Sequence, residues 1–432
     1  MTATPSSEIW RSLPGPEDIT RVELPNGIVV LTRSNFNSAS VVINGYLPCG
    51  SKYDPLDKLG LAGFTARALM RGTARYDFHA LHDMLESAGA SLGFSANVHT
   101  ITFGGRALAE DLPLLLNLLS SCVREPTFPI EQVERLRAQL LTSLAIRVQD
   151  PAEMAELTFD ALLFPDHPYG RSEDGYPETI QKITREDLAA FHQAYFRPQG
   201  MVLVVVGAVT AEEVMAQVDT ALGDWSASPM ADEENFPAVK PPAQSIRQHV
   251  PLPDKAQTEL IIGTLGPKRN HPDYLPASLG NNILGQFGMM GRIGEVVREK
   301  AGLAYYAMSS LNAWMVAGSW EVNAGVNPAN LERAIGLIQE EIRRFISEPV
   351  SEEELSDSQS HFIGRLPLSL ESNAGVAGAI LNMERFNLGL DYLQRYPQQV
   401  LAVTREQILD VARRYLDPER LIIVSAGPPI DG

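Results

Sequence analysis

Apolar positions along this chain recur with two periods, and each period marks a kind of element. Ile28 to Leu31, Ser40 to Tyr46 and Ala96 to Phe103 are rich in β-branched residues or alternate apolar with polar, which predicts strands. Phe78, Leu81, Leu85 and Ala88 fall at helical spacing, and Gly89 stops that helix. Ile130, Val133, Leu136, Leu140 and Leu144 draw a longer helical stripe; Leu331, Ile335, Ile338 and Ile342 draw its counterpart late in the chain. These stripes read as core faces. Strands followed by runs of helices predict α+β rather than a regular βαβ alternation.

The pattern occurs twice. Thr184-Arg185-Glu186 opens an amphipathic segment that reaches Pro198 fourteen residues on and Gly207 twenty-three residues on. Thr404-Arg405-Glu406 opens another that reaches Pro418 and Gly427 at the same offsets. Each leads into an apolar strand, Met201 to Val206 in one and Leu421 to Val424 in the other. Glu125-Pro126 and Glu348-Pro349 form a looser pair, each between two helices. A spacing of roughly 220 residues points to a duplication. The expected fold is α+β: two homologous α/β-sandwich halves, with mixed or antiparallel sheets and helices on one side, over residues 1–225 and 245–432. Residues 226–244 carry four prolines and almost no apolar periodicity, which predicts a semi-rigid linker. Two similar lobes on one linker suggest half of a clamshell chamber.

Composition narrows the function classes. With 432 residues, 44% hydrophobic and 20% charged, the chain suits a globular protein of two to four domains. A net charge of −18 argues against a nucleic-acid partner, whose phosphates demand a basic surface. The two cysteines, Cys49 and Cys122, form no spacing pattern, which fits a reducing compartment. Met-Thr-Ala-Thr-Pro-Ser-Ser-Glu lacks a basic stretch followed by an apolar one, so no secretory signal is expected. No run of about 18 apolar residues is present to span a membrane. The cytoplasm is the expected compartment.

Two segments carry candidate chemistry. Residues 60–73 read Gly-Leu-Ala-Gly-Phe-Thr-Ala-Arg-Ala-Leu-Met-Arg-Gly-Thr. From Gly285 the chain reads Gly-Gln-Phe-Gly-Met-Met-Gly-Arg-Ile-Gly-Glu-Val-Val-Arg-Glu-Lys-Ala-Gly-Leu-Ala-Tyr. The latter predicts a glycine-rich loop, a helix ending near Lys300 with Gly302 as its left-handed cap, and a strand from Leu303. Arg298 then lies in the last helical turn and Tyr305 just past the cap. The glycine run lacks the Gly-Lys-Ser/Thr ending of a phosphate loop and the dinucleotide spacing. It suits instead a close approach of backbone to a substrate or a partner subunit.

Other groups are weaker candidates. His79 and His82, followed by Asp83 and Glu86, can share a cation from one helical face, but an exposed polar face gives the same string. His167 lies in a turn and His192 in an amphipathic helix, both suited to structural roles. Neither cysteine has a recognisable His/Asn context, and no Gly-x-Ser-x-Gly elbow occurs.

Both segments resemble pitrilysin/insulinase-type zinc peptidases. In that family the first reads Gly-Leu-Ala-His-Phe-x-Glu-His, a few residues, then Gly-Thr, where two histidines bind zinc and the glutamate activates water. Here Gly63 stands at the first histidine, Ala66 at the glutamate and Arg67 at the second histidine. The third family ligand, a glutamate roughly 76 residues further on, falls at Leu141-Thr142-Ser143-Leu144, which holds no acid. Arg298-Glu299-Lys300-Ala301-Gly302-Leu303-Ala304-Tyr305 matches the Arg-Glu-Lys-x-Gly-Leu-Ala-Tyr of the family's non-zinc half. Leu24-Pro25-Asn26-Gly27 and His167-Pro168-Tyr169-Gly170 match as well.

The resemblance implies a zinc-free subunit with no metal or cofactor of its own. Its expected partner is a homologous zinc-motif subunit, in a heterodimer that hydrolyses peptides or unfolded polypeptides. Arg298 is implied to orient the substrate and Tyr305 to stabilise the oxyanion in trans. A catalytically silent scaffold, assembly protein or peptide-binding homologue is the alternative; retention of Arg298 and Tyr305 argues against it.

Overall fold

A computed structural model describes residues 13–227 and 236–430. Residues 1–12, which carry the signal-peptide expectation, and 228–235 of the expected linker lie outside the described residues. The chain divides into two compact units.

The first unit is built on six strands: β1 (Thr20–Glu23), β2 (Val29–Ser34), β3 (Ser40–Leu47), β4 (Ser91–Ala96), β5 (Ile101–Leu108) and β6 (Val202–Gly207). They lie in the order β1-β2-β6-β3-β5-β4, with β2 parallel to β6 and every other pair antiparallel. The predicted strand Ala96 to Phe103 is instead a hairpin corner. The Asn97 side chain accepts from the backbone N–H groups of His99 and Thr100, turning the chain between β4 and β5 inside an unbroken apolar pattern. One face of the sheet packs its apolar residues against helices that include α1 (Leu61–Ala68), α2 (Phe78–Ser87) and α3 (Ile130–Arg147). Leu81 and Leu85 of α2, and Val133, Leu136, Leu140 and Leu144 of α3, are buried as the stripes predict, whereas Ile130, at the first turn of α3, is exposed.

The second unit has five strands: β7 (Ile246–Pro251), β8 (Thr258–Gly266), β9 (Ala304–Ala313), β10 (Gly318–Val326) and β11 (Ile422–Gly427). Their order is β7-β11-β8-β10-β9, with β7 parallel to β11 and the rest antiparallel. Without β1, the first sheet has the same plan, β2-β6-β3-β5-β4. The duplication seen in the sequence is thus a duplication of sheet topology. Its two Thr-Arg-Glu blocks are matching helix starts. Thr184 and Thr404 each cap the residue three positions on, Asp187 and Gln407, whose side chains accept from the threonine N–H in return.

Each sheet also carries one helix on its other face, which periodicity alone did not mark. Ala145–Arg171 belongs to the second unit, where α4 (Pro151–Leu163) lies on β8 and β11. Phe159 of α4 fits over Gly263, where an added Cβ would stand 2.8 Å from the ring. Pro367–Arg395 belongs to the first unit, where α5 (Asn373–Arg385) lies on β3 and β6. Asn373 donates to the Ser40 carbonyl at 3.2 Å, and the Arg385 guanidinium stacks 4.8 Å from the Tyr46 ring centroid. Burial on both faces explains why β6 and β11, Val-Leu-Val-Val-Val-Gly and Ile-Ile-Val-Ser-Ala-Gly, are buried at every position.

Candidate functional site

In the second unit, the predicted glycine-rich loop is helical for most of its length. Helix Tyr274–Gly285 runs into it, the chain breaks at Gln286, and a second helical stretch covers Phe287–Gly294. Gly288 and Gly291 do adopt left-handed φ angles of +61° and +63°. Gly285 serves a close approach, as expected, but to β9 of its own unit. A Cβ there would lie 2.1 Å from the Ser309 backbone nitrogen.

The helix then widens. Glu295–Lys300 forms a π-helical turn, in which one extra residue per turn rotates the side chains that follow. Gly302 reverses the chain at φ +64°; its N–H donates to the Arg298 carbonyl and that of Leu303 to the Val297 carbonyl, each at 3.0 Å. The predicted helix end near Lys300 and left-handed Gly302 are both present, and β9 begins at Ala304. Across β9 and β10, Ala304 pairs with Val326 and Tyr306 with Gly325, so Tyr305 is the extra residue of a β-bulge. A bulge re-aims the side chain it carries. The Tyr305 side chain is 82% exposed. The Arg298 guanidinium is partly exposed and, among the described residues, forms an ion pair only with its neighbour Glu299, at 3.6 Å. Both residues therefore sit on one-residue expansions of regular structure, either side of one glycine turn.

The next residue behaves differently. Tyr306 donates to Glu259, and burial together with that carboxylate pushes its phenol above the ordinary range. Burial is also the leading cause that raises the Glu259 carboxyl. Tyr306 is tied into the sheet, whereas Tyr305 is left open.

In the first unit, α1 begins at Gly60, whose φ is +94°, with no side-chain cap from the adjoining residues. Asp54, buried six residues upstream, supplies the acceptor: its two carboxylate oxygens take the N–H groups of Gly60 and Ala62, each at 2.9 Å. Burial outweighs those two bonds and pushes its carboxyl up to about 7. The sequence reading missed Asp54; the signal was a helix start lacking a Ser, Thr, Asp or Asn at its N-cap.

Gly63 and Ala66 are buried on α1, and the Arg67 guanidinium donates to Asp174 at 2.8 Å. The site of an added Gly63 Cβ lies 3.4 Å from Arg67 Nη1. The arginine thus folds back over the glycine and is held there by a carboxylate. These residues do not fit a zinc ion: glycine and alanine offer no donor atom, and a fixed guanidinium repels a cation. Ser143 Oγ, in the segment expected to supply a third ligand, donates to the Gln139 carbonyl of its own helix at 3.2 Å.

The weaker candidates resolve into local structure. His82 Nδ1 lies 2.8 Å from the Phe78 carbonyl, and its ring packs 4.3 Å from that of Phe78. Among the described residues no group of three His, Cys, Asp or Glu side chains is placed to hold a metal. His167 is buried and its Nδ1 accepts from the Tyr169 N–H at 3.0 Å; burial pushes it down to about 4. His192 Nε2 lies 2.9 Å from the Val123 carbonyl, and burial lowers its pKa. Cys49 and Cys122 are free and buried, with thiols pushed up to about 12. Neither is a reactive thiolate. Among the described residues no helix is long and apolar enough to cross a membrane.

Comparison with known proteins bears on the family and the fold. Residues 29–172 match the insulinase family (peptidase family M16), and residues 182–361 match the peptidase M16 inactive domain. An uncharacterized zinc protease of Mycobacterium leprae is 27% identical over 92% of this chain and 89% of its own length. The mitochondrial-processing peptidase subunit beta of Lentinula edodes is 23% identical over 95% of this chain and 90% of its own. Among solved structures, the peptidase M16 inactive domain from Pseudomonas fluorescens superposes with a TM-score of 0.89 at 27% identity, covering 96% of this chain and 98% of that one. The fold is shared too by a protease from Helicobacter pylori, TM-score 0.86 at 19% identity, over 96% of this chain and 100% of that one. With a matching family in each half of the sequence and the same fold throughout, the chain belongs to the insulinase family, peptidase family M16.

Proposed function

We propose that this chain is the zinc-free subunit of a heteromeric M16 metallopeptidase and lends Arg298 and Tyr305 to a site on a homologous zinc-binding subunit. One observation carries this reading: the two residues occupy a π-turn and a β-bulge, Arg298 partly and Tyr305 largely exposed, while neighbouring Tyr306 is fastened into the sheet. Irregular turns of this kind collect at functional sites. In this role Arg298 donates to a peptide carbonyl and fixes the chain. Tyr305 donates to the oxyanion that develops as water attacks the scissile bond. The substrate is a peptide or unfolded segment, drawn in extended form along a free sheet edge. Two buried, unpaired thiols suit a cytoplasmic setting.

The test is to prepare the chain alone and together with a zinc-motif homologue from the same source. Both preparations are assayed on an unstructured peptide, with and without a chelator. Chelator-sensitive cleavage confined to the mixture is the expected result. A mixture that assembles and stays inactive overturns this reading in favour of a scaffold, the alternative favoured by the inactive-domain match over residues 182–361. Cleavage by the chain alone overturns both.

A further inference from the structure

A residue inserted into a strand has no partner of its own, so its neighbours in the ladder decide where its side chain points. On one side of Tyr305 stands Ala304, whose methyl group can anchor nothing polar. On the other stands Tyr306, and its anchorage crosses the width of the sheet. Gly325 of β10 pairs with Tyr306 of β9 on one edge and with Glu259 of β8 on the other, so the three residues form one row. Residues paired in antiparallel strands present their side chains to the same face. Gly325 presents none, and the Tyr306 ring passes over it: an added Cβ there would stand 2.8 Å from ring atom Cε1 and against the Gln257 amide.

The crossing ends on a prepared acceptor. The Tyr306 phenol donates to Glu259 Oε2, and Gln257 Nε2 donates to Glu259 Oε1 at 2.9 Å. Glu259 is half-buried, and the acid Asp150 adds to the cost of its charge. Two donors on two different oxygens offset that cost and fix the carboxylate in one orientation. Tyr306 is thereby held at both ends, by its backbone pairing to Gly325 and by its hydroxyl on Glu259.

We propose that Glu259, steadied by Gln257, is a positioning residue for Tyr305: acting through Tyr306 across the gap at Gly325, it fixes the strand beside the bulge and so the direction of the Tyr305 phenol. This rests on the trans role of Tyr305. Glu259 itself touches no substrate in that role; it acts on the reaction only through the aim of its neighbour's neighbour.

Two measurements test it, and the first needs no activity. In the chain alone, Tyr305→Cys carries a nitroxide; Cys49 and Cys122 are buried, with thiols pushed up to about 12, and do not compete for the label. The spectrum is expected to show one ordered component. Glu259→Ala or Tyr306→Phe should add a faster component while circular dichroism shows the chain still folded. Glu259→Gln, which keeps an acceptor for the phenol, should restore the ordered spectrum. Gly325→Ala, which removes no polar group but fills the crossing point, should act as Glu259→Ala does. Identical spectra throughout overturn the proposal. In the mixture with the zinc-motif homologue, Glu259→Ala and Tyr306→Phe should each lower kcat about tenfold at unchanged KM. Neither should slow a Tyr305→Phe mixture further. Natural rates in both variants, or a slowing that persists in full in the Tyr305→Phe background, overturn the proposal too. A Tyr305→Phe mixture as fast as the natural one overturns instead the role of Tyr305, and the nitroxide spectra still decide what Glu259 holds.

Discussion

Each unit sets a left-handed glycine at one end of a short helical segment, and the two glycines live in opposite surroundings. Gly60, which leads into α1, is packed tightly: an added Cβ would stand 2.7 Å from Ile180 and 2.8 Å from the Asp174 carbonyl oxygen. The buried Asp54 holds the helix start and Asp174 fastens Arg67 over Gly63. Gly302, which ends the π-turn, has nothing within 4 Å of the same position. Its neighbours Arg298 and Tyr305 are tied down by little. The segment around Gly60 uses Asp54 and Asp174 to hold its own backbone and Arg67, whereas the segment around Gly302 leaves the Tyr305 side chain exposed. The difference is one of commitment: Arg67 is held by a carboxylate from a distant part of the chain, whereas Arg298 pairs with its own neighbour Glu299 and Tyr305 stands open.

The largest expected effect is on catalysis by the pair. Arg298→Ala and Tyr305→Phe should each lower peptide cleavage by the mixed preparation about a hundredfold, with assembly and melting temperature unchanged. Parental rates in both variants would break the comparison. Next come the glycines. Gly60→Ala adds steric conflict to left-handed strain and should cost about 3 kcal/mol in denaturant unfolding. Gly302→Ala carries the strain alone and should cost about 1 kcal/mol.

Asp54 supplies a pH test. Its carboxyl sits at about 7 in the folded chain, above its unfolded value, so the folded state holds the proton more tightly. The stability it contributes is full below the unfolded value of about 4 and is lost as pH rises through about 7. Stability of the natural chain relative to Asp54→Asn should therefore fall as pH rises over that window. Smallest is the Arg67–Asp174 pair, whose side chains are 41% and 51% exposed. A double-mutant cycle should find less than about 1 kcal/mol between them, shrinking with salt. A larger coupling would mean the altered segment depends on that pair.

Periodicity made the elements legible wherever one face of an element is buried, as in the stripes of α2 and α3. It failed at Ala96 to Phe103, because a two-sided turn held by Asn97 interrupts no apolar pattern. The offsets linking Thr184 to Gly207 and Thr404 to Gly427 exposed the repeat because capping boxes and doubly buried strands demand particular residues. The positions of α4 and α5 had no such mark, since which sheet a helix covers depends on contacts far apart in sequence. Around the candidate site, the end of the helix and Gly302 could be read from local chemistry. The π-turn and the bulge at Tyr305 could not, because each arises from a mismatch of lengths between packed elements rather than from any residue type.

The helices that cover the second face of each sheet also set a timetable. A sheet begun at Thr20 is covered on both faces only when Asn373–Arg385 has been delivered, whereas the helix that covers the other face of the second sheet, Pro151–Leu163, is made before that sheet's first strand at Ile246. A nascent chain leaving the ribosome therefore carries an uncovered apolar face on β3 and β6 from the completion of β6 at Gly207 until Asn373–Arg385 is made. Chains interrupted before residue 373 would present that face to chaperones or to one another.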